Sequence, residues 1–423
     1  MALDPEEIRR QRQARAQQRA KQAAQRRRTL IGLAAAAVIL TACAVLIFAL
    51  SRNQNTQNAD TRPEQTTGSE QDTTAQTTEQ DPTTTIHFVA GGDLNITDGV
   101  VASGGSGYDY TQVFMDVAHL LADGDITALN FEGNLCGAPY GAESAPAALA
   151  QALDRAGVDL VQLANSYSIS RGLSGLSDTI NSIRAAGMEP LGVYADQEEA
   201  RKGKGYTVCD VNGIKVGVVA FTKGMDGLAL PADGAGCVNV LYTDYDSVYQ
   251  TVDTEGISAV LDALNQESPD VTVALLHWGS EYNDTISASQ KKIVSLLQQK
   301  GVDAIVGTHS HYVQKMDYDA DGGTFVAYSL GDFFGDAPRA GTEYSVLLDL
   351  EITKDNVTGE TKITGYSYTP IFTLTQDGVP TRVVRIREAM AAYEAGNIDA
   401  VSKKAYDAMA YALTRIEARV AGN

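Results

Sequence analysis

The chain has 423 residues, of which 44% are hydrophobic, and this is enough for one large domain or two ordinary ones. Its formal net charge is −20, although residues 1–28 carry nine Arg or Lys against three acidic residues, so the remainder is more acidic still. Because phosphate binding needs concentrated positive charge, this composition argues against a nucleic-acid partner for the main body of the chain.

An uncharged apolar run of 22 residues, 29–50, follows the basic tail of residues 1–28. A helix of this length, at about 1.5 Å per residue, spans the roughly 30 Å hydrocarbon core of a membrane. The run has no polar face, so we predict an uncleaved single-pass transmembrane anchor rather than a buried core helix. The basic flank predicts a cytoplasmic N-terminus and an extracellular folded domain. A cleaved signal peptide, with a lipoprotein-type cleavage site at Cys43, is the alternative.

Residues 51–85 are rich in Thr, Gln, Asn, Ser and Asp and contain almost no large apolar side chain. Such a segment cannot bury enough surface to offset the entropy that it would lose on ordering. We therefore predict a flexible, disordered linker between the anchor and a folded domain that begins at residue 86.

Short apolar strands alternate with amphipathic helices from residue 86 to about residue 195. This alternation predicts an α/β core with a largely parallel sheet. Gly187 is expected to cap the end of one of these helices, since glycine adopts the left-handed conformation that many helix ends require.

Strand patterns dominate the later part of the chain. Asn212-Gly213 lies between two of them, which is a strong hairpin signal. Ser287 or Ser289 is the expected N-cap of a later helix. A β-meander follows, and residues 386–421 look helical throughout. We predict one domain over residues 86–378 and a C-terminal helical extension over residues 379–423.

Three cysteines, Cys136, Cys209 and Cys237, follow the apolar run. The sequence leaves open whether Cys209 and Cys237 form a disulfide. There is no Cys-X-X-Cys motif and no Cys/His cluster, which argues against a zinc–thiolate site.

Several predicted strands end in a residue that can bind a metal ion or transfer a proton. These residues are Asp93, Asn130, Glu132, Asn165, His277, Glu281, His309 and His311. Parallel strands that share one direction bring such ends to one edge of the sheet. Carboxylate, amide and imidazole groups suit Mn²⁺, Fe²⁺ or Zn²⁺, and one or two such ions could bind a phosphate and activate water.

Each of these residues also has a structural interpretation. A strand-end aspartate such as Asp93 is commonly a turn or cap residue, and His277, beside the single tryptophan Trp278, could simply pack in a strand. The pair His309 and His311, which follows a glycine, is harder to explain by packing. The two remaining histidines, His87 and His119, are interpreted as structural.

Six motifs in order, GGDLNIT, LNFEGNL, LANSYSISRG, LHWGSEY, GTHSHYVQ and YSLGDFF, resemble those of the CapA family of poly-γ-glutamate capsule-synthesis proteins, which belongs with the calcineurin-like metallophosphatases. The resemblance covers roughly residues 86–375. It implies a four-layer α/β/β/α metallophosphatase-like sandwich with a metal site at one edge. It also implies a role in making, exporting or anchoring an anionic capsular polymer.

The resemblance also implies roles for individual residues. It places metal ligands at Asp93, Glu132, Asn165, His277, His309 and His311, and it makes His277, Glu281 and Tyr167 the candidate catalytic residues. It places Asn95, Asn130, Tyr328, Ser329 and Asp332 at the edge of the site, where Asp332 replaces the usual asparagine of the family.

The LANSYSISRG loop departs from the usual pattern of the family. Ser166, Tyr167 and Ser170 stand where the family usually has Asn, His and Asp. Loss of general acid–base help typically costs about 10²–10⁴-fold in rate. Tyr167, with a reference pKa near 10, is a slower acid than an imidazole. We therefore expect an altered metal site and inefficient phosphatase activity.

The leading interpretation is a membrane-anchored extracellular protein of capsule or cell-envelope polymer assembly. An active metal-dependent phosphoesterase or hydrolase and a non-catalytic polymer-binding scaffold are the alternatives. The expected partners are an anionic capsular or cell-wall polymer, the membrane through residues 29–50, and other capsule-synthesis membrane proteins. An acidic domain should repel polyglutamate unless a metal ion or a local basic groove offsets its charge.

Overall fold

The computed structural model describes residues 82–318 and 323–422. The predicted cytoplasmic tail, the predicted transmembrane segment 29–50 and nearly all of the predicted linker lie outside the described residues. Within the described ranges, every helix is too short or too polar to cross a membrane. The first strand begins at Thr83, inside the predicted linker, because its polar residues pair with a neighbouring strand as far as Thr83–Asp355.

The described residues form fourteen strands and ten α-helices. The strands are β1 (Thr83–Asn95), β2 (Ile126–Glu132), β3 (Leu160–Gln162), β4 (Glu189–Leu191), β5 (Tyr206–Val211), β6 (Ile214–Thr222), β7 (Val271–His277), β8 (Ala304–Thr308), β9 (Met316–Asp317), β10 (Phe325–Ala327), β11 (Asp332–Phe334), β12 (Tyr344–Asp355), β13 (Thr361–Gln376) and β14 (Val379–Arg385). The helices are α1 (Asp98–Ala102), α2 (Thr111–Phe114), α3 (Ala118–Asp123), α4 (Ala148–Ala156), α5 (Gly172–Ala186), α6 (Gln197–Lys202), α7 (Thr254–Asn265), α8 (Ala288–Gln299), α9 (Ile386–Glu394) and α10 (Lys403–Val420).

The strands form two mixed sheets. The first has the order β14-β13-β12-β1-β2-β3-β4, and β11 pairs with the end of β1. Strands β1 to β4 are parallel, whereas β12, β13 and β14 form an antiparallel meander. The second sheet has the order β5-β6-β7-β8-β10-β9 with four parallel strands at its centre.

The two sheets pack face to face, and helices cover their outer faces. Phe88 and Val346 of the first sheet share an apolar cluster with Val218 and Val273 of the second. Helices α7 and α8 pack on the outer face of the second sheet in another cluster. All seven residues of β2 are buried, so the first sheet is covered on both faces as well. This arrangement confirms the predicted α/β fold with two mixed sheets.

Local signals in the sequence are found where they were expected. Asn212 and Gly213 both have positive φ, 52° and 83°, as a two-residue hairpin turn requires. Gly187 ends α5 in the left-handed conformation. Ser287, and not Ser289, caps α8. The side chain of Gln290 accepts a hydrogen bond from the Ser287 N–H, which completes a capping box.

The segment TFVAYSLGDFF, whose aromatic and aliphatic residues favour a single strand, is divided between the two sheets. Its first part is β10 in the second sheet, and its last part is β11, which pairs with β1 in the first. The chain crosses at Gly331, whose carbonyl oxygen accepts a hydrogen bond from the Asp93 amide at 3.0 Å. A Cβ on Gly92 would lie 1.7 Å from that oxygen, so this approach requires glycine. The crossing sets Asp332 directly opposite Asp93.

The C-terminal part also differs from its prediction. Residues 379–385 form β14 and extend the first sheet, so the boundary at residue 378 falls inside the fold. The predicted continuous helix is interrupted after Glu394, where Gly396 has a φ of 92°. Met409 and Ile416 of α10 join the cluster between the sheets, so the two helices belong to the same core.

The cysteine pair that the sequence left open is not bridged. Within the described part of the chain, the thiol of Cys237 is free, and Cys237 is buried. A disulfide between Cys209 and Cys237 is therefore not formed.

Candidate metal centre

The carboxyl ends of the parallel strands bring the candidate residues to one edge. Asp93 pairs with Asn130 across β1 and β2, while His277 and Thr308 pair as the last residues of β7 and β8. All four side chains are buried. The two sheets thus contribute to one site from opposite sides.

One group of possible ligands consists of Asp93, Glu132 and His277. Their ligand atoms lie within 4.8 Å of one another, with Nδ1 of His277 3.3 Å from Glu132 Oε1 and 4.0 Å from Asp93 Oδ1. The amide nitrogen of Asn130 lies between them, 2.6 Å from Asp93 Oδ1, 3.0 Å from Glu132 Oε1 and 3.3 Å from His277 Nδ1. The two carboxylate oxygens and the imidazole nitrogen therefore all lie around one electropositive group, the amide nitrogen of Asn130.

A second group consists of Asp93, His311 and Asp332. Nδ1 of His311 lies 2.8 Å from Asp332 Oδ1 and 4.0 Å from Asp93 Oδ2. The sequence placed Asp332 only at the edge of the site, but β11 carries it into the centre. Asp93 belongs to both groups, which is the arrangement that two neighbouring ions or one shifting ion would need.

The imidazole of His309 is buried beside both groups. The residue is 2% exposed, and neither Nδ1 nor Nε2 has a hydrogen-bond partner among the described residues. Its backbone N–H donates to Asp93 Oδ2 at 2.9 Å, and its ring centroid lies 4.4 Å from that of His277. The φ of 88° at His309 is strained for a non-glycine residue. A buried imidazole without a partner fits a metal ligand, since buried polar groups are otherwise hydrogen-bonded.

Asn165, predicted as a ligand, has a different role in the structure. Its amide nitrogen donates to Asn130 Oδ1 at 3.1 Å and to the Phe131 carbonyl at 2.7 Å. Its side-chain oxygen accepts the N–H of Tyr167 at 2.9 Å. Because these bonds use both ends of the amide, Asn165 orients Asn130 rather than facing the two groups.

Two of the three unusual residues of the LANSYSISRG loop, Ser166 and Tyr167, lie at the centre, whereas the Ser170 hydroxyl donates to Asn134 Oδ1 at 3.1 Å. The Ser166 hydroxyl is 3.1 Å from Nε2 of His277 and is buried. Burial, together with the nearby Glu132 and Glu281, raises the pKa of Tyr167 to about 12. The phenol therefore stays protonated at neutral pH and can donate a hydrogen bond, but it is a weak acid.

Two buried carboxyl groups, those of Glu132 and Asp332, resist ionisation. Burial and the neighbouring Asp93 raise the pKa of Glu132 well above its usual value. Burial raises the pKa of Asp332 to about 6, although the bonded His311 acts in the opposite direction. A divalent cation would favour the charged form of these groups, because an opposite charge offsets the cost of burial.

The three histidines differ in charge. Burial lowers the pKa of both His277 and His309 well below the usual value, so both rings are neutral and have a lone pair for a metal ion. Burial alone would lower the pKa of His311 too, but Asp332 and Glu281 raise it above its usual value. Carboxylates combined with the neutral imidazoles of His277 and His309 fit Mn²⁺, Fe²⁺ or Zn²⁺.

Glu281 lies at the mouth of the site. Its Oε1 is 3.9 Å from Nε2 of His311, and its side chain is 47% exposed. The neighbouring imidazole of His311 lowers the pKa of Glu281, so this carboxylate is charged at neutral pH. Of the candidate catalytic residues, Glu281 is the most exposed to solvent.

The predicted edge residues divide into two groups. The Asn95 side chain contacts Asp332 and lowers its pKa, so Asn95 belongs to the centre. The ring of Tyr328 stacks on Trp278 in the outer cluster, and the Ser329 hydroxyl accepts the Gly331 N–H at 3.3 Å. Tyr328 and Ser329 therefore support the fold around the site.

Lys223 is a site residue that the sequence reasoning missed. It directly follows β6, and its backbone N–H donates to the His277 carbonyl at 2.8 Å. The signal was present, because β6 is a parallel strand that ends at the same edge as β7. A lysine is not among the carboxylate, amide and imidazole ligands that mark a metal site, so the pattern of ligands at strand ends did not include it.

Comparison with known proteins agrees with the motifs. The sequence model of the family described as bacterial capsule synthesis protein PGA_cap matches residues 85–337, more than half of the chain. The chain belongs to the PGA_cap family. This membership confirms the resemblance to CapA proteins.

Two curated relatives and one solved structure illustrate the similarity. The PGA_cap chain is 29% identical over 209 residues to the capsule biosynthesis protein CapA of Bacillus anthracis, covering 49% of this chain and 47% of the relative. It is 27% identical over 202 residues to the PGA biosynthesis protein CapA of Bacillus subtilis strain 168, covering 48% of each. The chain spans about half the length of the curated relatives it matches. A structure titled as a novel phosphatase of Mycoplasma pneumoniae aligns with a TM-score of 0.42 at 15% identity, covering 68% of this chain and 94% of that chain.

Proposed function

We propose that this PGA_cap protein takes part in the synthesis, export or anchoring of an anionic capsular polymer of the poly-γ-glutamate type, and that a divalent ion at the site is required. Family membership supports the capsule role. The observation that carries the requirement for metal is Asp93, which belongs to two groups of buried ligands.

The residues have separate tasks in this proposal. Asp93, Glu132 and His277 hold an ion, and Asp93 joins the other ligand group for a second one. When bound, such an ion polarises a carbonyl or phosphoryl oxygen and lowers the pKa of water. Asn165 orients Asn130 through its amide, and Tyr167 donates a hydrogen bond from a phenol that stays protonated.

The site of action in this proposal is the outer face of the cell membrane. The basic residues 1–28 and the uncharged run 29–50 support a single-pass anchor with the folded domain outside. Other capsule-synthesis membrane proteins are the proposed partners, and residues 51–81 provide the spacing between the membrane and the domain. In this proposal the metal site differs from the one that the family resemblance implies, because the LANSYSISRG loop is altered.

The test is restoration of surface polymer in cells that lack this chain. We expect the wild-type chain to restore the polymer and Asp93→Asn to fail at equal protein level, because the variant loses a ligand of both groups. Asp178→Asn, on the exposed face of α5, is the matched control and should restore it. Full restoration by Asp93→Asn would contradict the metal requirement. It would leave a non-catalytic polymer-binding scaffold as the remaining interpretation.

A second function, hydrolysis of a phosphoester or amide bond in an envelope substrate, has support of its own. The half-exposed Glu281 and His311 form a carboxylate–imidazole pair that can move a proton at the mouth of the site. With added Mn²⁺ we expect hydrolysis of a generic phosphomonoester, reduced in kcat by Glu281→Gln. No turnover by the wild-type chain would exclude phosphoester hydrolysis.

A further inference from the structure

Lys223 presents a half-buried ammonium group beside the metal centre. Its Nζ donates to the Gly279 carbonyl at 3.3 Å and lies 4.7 Å from the centroid of the Tyr249 ring. It forms no ion pair within the described ranges of the chain, and burial lowers its pKa. Glu281 and the exposed Asp226 are neighbouring acids that act on it at longer range. A half-buried cation whose direct contacts are a carbonyl and an aromatic face gains from an anionic ligand.

Arg339 is a second cation at the site, and it contacts the loop that follows β7. Its guanidinium lies 3.9 Å from the centroid of the Tyr282 ring, and that ring stacks on His311 with centroids 5.0 Å apart. Arg339 is exposed, and its side chain has no carboxylate partner in the part of the chain that the structure describes. A guanidinium supported by an aromatic face keeps its N–H groups available for a carboxylate or phosphate.

The two cations flank Glu281. Lys223 contacts the loop that follows β7 at Gly279, and Arg339 contacts it at Tyr282, so the attachment points bracket Glu281. His311 Nε2 lies 3.9 Å from Glu281 Oε1, so three basic side chains lie around this loop. Basic side chains are therefore concentrated at the mouth of the site in an otherwise acidic chain, which is the local positive charge that an anionic polymer needs.

We propose that Lys223 and Arg339 form an anion-binding subsite over Glu281 that holds acidic groups of the substrate next to the metal centre. The subsite rests on the proposed function and defines its substrate class. The acidic groups are carboxylates if the substrate is the polymer itself and phosphates if it is a phosphorylated precursor.

The test is binding to the full-length chain, measured by calorimetry with poly-γ-glutamate and, separately, with inorganic phosphate. We expect Arg339→Gln and Lys223→Gln each to weaken binding by roughly tenfold, since each removes a charge-assisted hydrogen bond. Arg155→Gln and Lys362→Gln, which remove exposed cations elsewhere, are the controls and should bind as the wild type does. Stronger loss for polymer than for phosphate identifies a carboxylate subsite, and the reverse identifies a phosphate subsite.

Two further measurements separate the possible failures. Arg339 is exposed, so Arg339→Gln tests the subsite even if Lys223→Gln does not fold. Bound metal should be unchanged in Arg339→Gln, because this residue is not in either ligand group. Equal binding by wild type and both variants would overturn the subsite and leave the proposed function standing. A wild-type chain that binds neither polymer nor phosphate would overturn both.

Discussion

At residue scale, the chemistry of the site depends on what stands at position 167. The phenol of Tyr167 is half-buried and stays protonated, since its pKa is raised to about 12. The adjacent Ser166 hydroxyl bonds Nε2 of His277, where an amide would be the usual residue of the family. The loop therefore stabilises the centre by hydrogen bonds but supplies no group that titrates near neutral pH.

Restoring the usual residues should raise hydrolytic activity. We expect Ser166→Asn combined with Tyr167→His to increase Mn²⁺-dependent phosphomonoester hydrolysis by about 10²-fold, the lower limit of what general acid–base help contributes. The measurement is kcat with a generic phosphomonoester at neutral pH. Tyr167→Phe is the control and should show no increase. A double variant that is no faster than the wild type would contradict the interpretation of this loop.

Much of the site could be predicted from strand ends, and the rest could not for identifiable reasons. Asp93, Glu132 and His277 end parallel strands, so a local pattern was enough to place them together. Asp332 enters the centre only because β11 crosses between the sheets, and no local pattern encodes that crossing. Asn165 is at the predicted place, but the competing hydrogen bonds that occupy its amide arise from tertiary contacts.

At the scale of single elements, a side-chain pair joins the first strand to the meander. Nδ1 of His87 on β1 lies 2.9 Å from Asp349 Oδ1 on the antiparallel neighbour β12. The bond to Asp349 raises the pKa of His87. The histidine, predicted to be structural, thus links two strands at the centre of the first sheet.

This pair should make folding stability depend on pH. Because the folded pKa of His87 is raised, its stabilising contribution is complete below the unfolded value near 6.5 and is lost as pH rises through the folded value. The free energy of unfolding of the wild type should therefore fall between pH 6 and 8.5. We expect this fall to be smaller in His87→Gln, as measured by urea denaturation. Asp349→Asn should reduce it equally. Parallel pH profiles for wild type and both variants would contradict the pairing.

Elements with local signals were predictable, and elements defined by distant contacts were not. The Asn212-Gly213 hairpin depends on conformational preferences within a few residues, so the sequence sufficed. For the cap of α8 the local pattern left Ser287 and Ser289 as alternatives, and the structure shows Ser287. The segment TFVAYSLGDFF has aromatic and aliphatic residues along its whole length, yet it divides because the Gly331 carbonyl bonds β1 of the other sheet. The break between α9 and α10 at Gly396 lies in a region whose helical pattern continues on both sides, so its periodicity gave no sign of an end.

At the scale of the whole molecule, the C-terminal helix is tied to the loops of the metal centre. Arg419 near the end of α10 is 3.1 Å from Asp284 Oδ1, and its guanidinium lies 4.5 Å from the centroid of the Tyr312 ring. Tyr312 directly follows His311, and Asp284 follows the loop that carries Glu281. The family model matches residues 85–337, so α10 lies outside the matched region but stabilises loops that lie inside it.

Removing this contact should destabilise the domain. We expect Arg419→Ala to lower the free energy of unfolding by about 1–3 kcal/mol, because it removes a mostly buried guanidinium together with its ion pair and its aromatic contact. Arg387→Ala, which breaks an exposed pair with Glu417, is the control and should cost about 0.5 kcal/mol or less. Urea denaturation gives both values. Equal, small losses for the two variants would show that Arg419 does not brace the loops.

The most direct test of the account is the metal content of the purified full-length chain. After incubation with Mn²⁺, Fe²⁺ or Zn²⁺ and removal of free ion, elemental analysis should find one or two tightly bound ions per chain. Asp93→Asn should lose them because Asp93 serves both ligand groups, whereas Glu132→Gln should retain binding at the second group and Asp178→Asn should match the wild type. A wild-type chain without bound metal, or an Asp93→Asn chain that retains it all, would contradict the account.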